Sequence, residues 1–381
     1  MKKRKITAII ASIVALIAFL TAIYLVNINR PLYRSSNTSG IEYEVAKVTG
    51  ILEDKTTREE NTGLLLGKKT MQLKILSGRY KEENVTVDNY FSALYNVNVS
   101  QGDKVSVRID TTEKGHSVSI YNYYRVPKLI ACVLFFFFLL ILIGGRQGAK
   151  SALGLIFTMV CIIWLLLPLS LKGFSPLLIT IFIIALCNVL HFVLIAGMNK
   201  KMLAATIGSI SGVLAGAVFS MIAQRMMSVT TYQMDEAETL MLVMTTTKLD
   251  MRHLFLCGVL IACMGAVMDV AMSISSAVSE VHEANPKFDR KRLFISGMNI
   301  GKDAMGTMAN TLILAFAGGS LNMILLIYSY GVSFQQLMNT DFIAVELIQS
   351  IAGSIGIICT VPIAAFISAF MYGSENKIKK A

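Results

Sequence analysis

Charged residues are scarce in this 381-residue chain, where Asp, Glu, Lys and Arg together make up 15%. Soluble domains carry about 25%, so a water-soluble globular protein is excluded. Acids are scarcer than bases, 24 against 35, which leaves a formal net charge of +11. The six cysteines (Cys132, Cys161, Cys187, Cys257, Cys263, Cys359) all fall in apolar runs, and none lies in the polar segment 28–125. No disulfide framework and no zinc spacing is present, so they read as small packing residues. A nucleotide-binding loop is also missing, which argues against an ATP-driven pump within this chain. No cofactor is expected.

What the chain does have is hydrocarbon. Hydrophobic residues reach 54%, and the mean hydropathy is +0.62. Runs long enough to cross a bilayer, about 20 residues, occur near 7–25, 126–143, 152–169, 177–196, 202–223 and 254–274. Two less even runs follow at 303–330, interrupted by Gly318-Gly319, and at 348–371. The first has an apolar core too long for a cleaved signal peptide and reads as an anchor. The expectation is an α-helical polytopic membrane protein of about eight transmembrane helices, the seventh broken or re-entrant.

Basic residues orient it. They cluster at Lys2, Lys3, Arg4 and Lys5, then Arg146 and Lys150, Lys200 and Lys201, Lys287, Arg290, Lys291 and Arg292, and finally Lys377, Lys379 and Lys380. With eight spans all five clusters share one side, which the positive-inside rule makes the cytoplasm, with both termini. The loop 225–252, with Asp235, Glu236, Glu238 and Asp250, falls on the other side. The excess charge is thereby placed against anionic lipid, and a nucleic-acid partner is not expected.

Three regions result: a basic N-terminus and anchor helix (1–27), an extracytoplasmic segment (28–125) and a seven-helix membrane domain (126–381). The middle segment alternates apolar and polar residues at 71–75, 105–109 and 118–120, separated by turn chemistry at Ser77-Gly78, Gln101-Gly102-Asp103 and Lys114-Gly115. It is expected to be a small all-β domain without a catalytic constellation.

Two aspartates lie within apolar runs. A carboxylate in hydrocarbon costs several kcal/mol unless paired, hydrated or turned to a protein interior. Asp269 heads the stripe Asp269, Ser273, Ser276, Glu280; Asp303 belongs to the stripe Asn299, Asp303, Thr307, Asn310. If the consecutive spans bring the two carboxylates together, they would bind a cation or share a proton. The expected substrate or ion site is therefore Asp269, Asp303, Asn310, Ser273, Thr307 and Asn299, with Glu346 and Gln349 as a second polar station. Asn188 and His191 form either a third station or a helix–helix hydrogen-bonding pair. Gly208, Gly212 and Gly216, spaced by four, form a ridge for close helix packing within one subunit or across a dimer seam. The many Met residues read as flexible apolar packing.

The stretches from Gly265 to Glu280 (GAVMDVAMSISSAVSE) and from Gly301 to Thr311 (GKDAMGTMANT) resemble the YibE/F family of bacterial multi-pass membrane proteins. The anchor, outer domain and polytopic remainder are similar to its longer, YibE-like members. The resemblance implies a bacterial plasma-membrane protein for which transport is suspected, and a YibF-like membrane partner, a homodimer being the alternative that the glycine ridge leaves open; it supplies no established site residues. The function expected is a secondary transporter or permease subunit acting on an unknown ion or small molecule. The alternatives are a scaffold or assembly factor working through the β-domain, and an intramembrane aspartyl protease. The last lacks its signatures: Gly301-Lys302-Asp303 is not Gly-x-Gly-Asp, and Met268 rather than Tyr precedes Asp269. No enzymatic activity is expected.

Overall fold

The structure, a computed structural model, describes residues 17–28, 40–112, 115–234 and 236–373. The basic clusters at both ends, the first half of the anchor run, part of 28–39, Lys114 and Asp235 lie outside the described residues. Two compact units emerge, one of residues 34–139 and one of the rest.

The first unit holds five antiparallel strands: β1 (Ile41–Arg58), β2 (Leu65–Ile75), β3 (Asn84–Phe91), β4 (Lys104–Thr112) and β5 (Gly115–Tyr123). The sheet order is β3-β2-β1-β4-β5, and the edge strands β3 and β5 approach each other, curling the sheet into a half-barrel. Alternate side chains point inward, as a pleated strand requires: Ala46, Val48, Met71, Leu73, Ile75, Val87, Val105, Val107 and Ile109 form the core. The expected strand segments at 71–75, 105–109 and 118–120 all lie in strands. β1 carries no clean alternation because the register shifts at Val48/Gly50 and Ile51/Glu53, each bulge moving following side chains to the other face. These bulges let one long strand serve β4 with its first half and β2 with its second. Gly102, in the Gln101-Gly102-Asp103 turn, has φ 94, which L side chains rarely adopt.

The second unit is helical. A short described helix, α1 (Ile17–Asn27), stacks Phe19 on Phe157 at 4.8 Å. α2 runs Val126–Cys161, its residues 126–139 still belonging to the first unit, and continues as a π-helical turn into α3 (Leu167–Leu171). Together these span 46 residues, about twice the length a bilayer requires. The backbone is non-helical at Gly145 (φ 52, ψ −131), a kink that divides α2 into two helices. The remaining helices are α4 (Pro176–Ala196), α5 (Lys200–Met227), α6 (Ala237–Met244), α7 (Leu254–Ala284), α8 (Arg290–Gly319), α9 (Leu321–Ser329), α10 (Phe334–Met338) and α11 (Asp341–Tyr372). α8 and α9 meet at 60° immediately after Gly318-Gly319. Among the described residues five helices are long and apolar enough to cross a membrane, six if the bent pair is one span.

α5, α7 and α11 pack on one another at the centre, with α4 against α5 and α7, and α8 against α11 and α7. The glycine ridge explains the closest contact. A Cβ on Gly208 would lie 2.8 Å from the Ala364 Cβ, one on Gly216 2.8 Å from the Ala352 carbonyl oxygen, and one on Gly212 would strike Thr360 Oγ1. Within the chain, therefore, Gly208, Gly212 and Gly216 seat α11 rather than a second subunit. Large side chains fill the rest: Phe192, Leu260, Ile274, Leu293 and Ile357 are fully buried.

Candidate functional site

Asp269 sits at the middle of α7, with fifteen residues of helix on either side (254–268 and 270–284), about 22 Å each way. The residues flanking it on the helix face inward: Val267, Met268, Val270 and Ala271 are buried. Asp269 and Ser273 point the other way and are exposed. Asp269 is not bare on that side, because it lines a cavity of about 280 Å³ between α2, α4 and α7. Gly154, Thr158 and Met159 of α2 form one wall, Met264, Gly265 and Met268 of α7 another, and His191 of α4 closes it. Asp269 and His191 therefore line the same cavity from two different helices. A carboxylate and an imidazole thus share one groove whose other walls are mostly aliphatic or thioether.

Local sequence explains the placement. Gly154 has no side chain, and a Cβ there would lie 2.5 Å from His191 Nδ1, so the glycine makes room for the ring. Thr158, one turn on, turns its hydroxyl to the Gly154 carbonyl at 3.0 Å, so its own donor is satisfied. Neither residue carries a sequence signal that separates it from ordinary helix packing.

Asp303 is elsewhere. α8 meets the bundle through Gly301, beside Ile274 and Val361, and through Gly297, beside Val278 and Ala365; Leu312 packs against Gly353. Gly301, Met305, Met308 and Leu312 lie roughly 140–200° round the axis from Asp303. Asn299, Asp303, Thr307 and Asn310 are all exposed on the opposite face. The expected pairing of Asp269 with Asp303 is not formed within the chain, because glycines rather than carboxylates occupy the α7 side of α8. Glu346 is half-buried in the second turn of α11, where its neighbours Val345 and Ile348 pack with Phe255 and Val259. Val259 lies ten residues from Asp269, about 15 Å along α7, so Glu346 belongs to another level of the bundle.

Asn188 and His191 do not hydrogen-bond to each other. Asn188 is 0% exposed, and both side-chain amide atoms lack a partner among the described residues, as does Ser209 Oγ on α5. Polar contacts that do cross between helices include Ser368 Oγ to Ser275 Oγ, 3.2 Å, between α11 and α7, and Ser354 Oγ to the Ala309 carbonyl, 3.5 Å, between α11 and α8. Among the described residues no group of three or more His, Cys, Asp or Glu side chains is arranged to hold a metal.

Long apolar helices around a polar groove, preceded by a β half-barrel, define a multi-pass membrane protein. The chain belongs to the YibE/F family: the family model described as YibE/F-like protein matches residues 132–374, and that of the YibE/F family N-terminal domain matches residues 39–123. No curated protein and no solved structure matches it.

Proposed function

We propose that the chain is a secondary transporter or permease, or a subunit of one, in a bacterial plasma membrane, and that the α2–α4–α7 groove is its station for a cation or polar substrate. One observation carries the reading: Asp269 and His191 line the same cavity halfway along a long apolar helix. Ionisable side chains inside spans are expensive and are retained at ion and substrate pathways. The carboxylate supplies negative charge for a cation, and the imidazole can hold or release a proton as the cation leaves or arrives. Dividing the long helix at Gly145 and counting Ile17–Asn27 as part of a full span would give eight crossings; in that reading both termini share one side, which the basic loops make the cytoplasm, with the half-barrel outside.

The test is thermal stability of the purified protein against a panel of ions, metals and small metabolites. A ligand that binds the folded state at 100 times its Kd stabilises by about 2.7 kcal/mol. The stabilisation should disappear in Asp269→Asn, shrink in His191→Gln and survive in Asp303→Asn, which changes the opposite face of the bundle. Stabilisation that persists in Asp269→Asn, with the variant normally inserted, sinks the reading.

A second reading, a scaffold acting through the half-barrel, is favoured by an aromatic pair on its surface. Tyr43 and Tyr121 meet edge to face at 4.8 Å, yet both are more than half exposed. Removing residues 30–124 abolishes function in a scaffold and only modulates it in a transporter.

A further inference from the structure

On α8 the exposed residues Asn299, Asp303, Gly306, Asn310, Ile313 and Ala317 recur at spacings of four and three. This is the a/d pattern of a left-handed helix pair, with Asp303, Asn310 and Ala317 at a and Asn299, Gly306 and Ile313 at d. The residues turned to the chain's own bundle, Gly297, Gly301, Met305, Met308 and Leu312, occupy the b, c and f positions. The seam therefore points squarely away from the bundle. The Thr307 hydroxyl donates to the Asp303 backbone carbonyl, but among the described residues the side chains of Asn299, Asp303 and Asn310 bond to no other, and a Cβ on Gly306 would meet nothing within 4 Å. An Asp and two Asn facing hydrocarbon are unfavourable, while small and polar residues at regular spacing are what packs one membrane helix on another.

We infer that this seam pairs with α8 of a second copy, making the protein a parallel homodimer. The occupant is argued from charge and symmetry. Copies of one chain insert with the same topology, so a twofold axis along the membrane normal brings each a or d residue opposite itself at equal depth. Asparagine amides both donate and accept, so Asn299 and Asn310 are each self-complementary. Lys302, exposed at the g position, flanks Asp303, and the hole that receives Asp303 in a parallel pair includes the second copy's Lys302. Each aspartate is thereby balanced by the opposite chain's lysine. The inference is independent of the groove at Asp269, which lies on other helices.

The test is a cysteine scan in native membranes, with exposed Cys132 first replaced by Ser. Oxidation should link two copies of the chain for Gly306→Cys and Asn310→Cys, but not for Thr311→Cys or Ala315→Cys, which are exposed off the seam. Equal cross-linking at all four positions, or none at any, overturns the dimer, and so does a product containing a different chain. Native mass spectrometry of the unsubstituted protein supplies a readout that no substitution can spoil: twice 41.7 kDa is expected, and monomer alone overturns the inference. Lys302→Asp should weaken dimerisation at least tenfold, and adding Asp303→Lys should restore it.

Discussion

Asn188 shows how a single residue acquires meaning only from its surroundings. An asparagine three residues before a histidine on an apolar helix reads as a polar station or as a helix–helix hydrogen-bonding pair; the structure seals the amide in the core with no partner among the described residues and turns the imidazole into the groove. An unmatched buried amide costs about 1–3 kcal/mol. Asn188→Leu, which keeps the heavy-atom count and the branching at Cγ, is therefore expected to leave the thermal midpoint in detergent unchanged or raised; a drop larger than that of Asn188→Val would mean that the amide is bonded. Asp269 and Asp303 make the same point. Both stand out in sequence because carboxylates are rare in apolar runs, but rarity does not say which way a side chain faces. Gly154 and Thr158 carry no signal at all, since their contribution to the groove consists of leaving space. On the half-barrel, Lys68 and Thr70 hold the Asp88 carboxyl below its ordinary value of 3.8, Thr56 and Lys69 do the same for Asp54, and Lys74 lowers Glu82 from 4.5. Depressed carboxyls contribute stability that is fully present above those ordinary values and is lost as pH falls through the folded-state values. The half-barrel should thus weaken below about pH 4, with a shallower acid limb in Asp88→Asn; an identical limb in the variant would contradict the assignment.

At the scale of elements, glycine marks the positions where helices touch or turn. The regular spacing of Gly208, Gly212 and Gly216 was legible as a packing ridge, but its partner was not, because any smooth helix fits such a ridge. The structure seats α11 there, at contacts too close for a methyl group. Gly212→Ala should therefore lower stability by about 1–3 kcal/mol through overpacking, measured as the detergent thermal midpoint; Gly265→Ala, with nothing within 4 Å, should not. Gly145 stands in a backbone region that costs other residues about 1–3 kcal/mol, so Gly145→Ala should also destabilise. The Gly318-Gly319 interruption was legible as a break, and the chain bends by 60° there. β1 and β3 were harder to read: bulges scramble the alternation of one, and the buried Asn89 takes an inward position in the other.

At the scale of the whole molecule, composition was decisive for class. With charge at 15% and hydrophobic residues at 54%, the chain cannot satisfy its surface with water, and long apolar runs have only helices in which to hide their backbone polar groups. The division into a β-rich part and a helical part followed from the change from short alternating segments in 28–125 to apolar runs long enough to cross a bilayer. Hydropathy is a local, additive property of consecutive residues, which is why the sequence by itself determined these things. Facing is not local: it depends on which helix lies against which, through contacts between residues far apart in the chain. The tertiary structure alone paired α5 with α11, joined Asp269 to His191 across α4 and α7, and turned Asp303 outward, because close packing on glycine gave α7 and α11 the opposite face of α8.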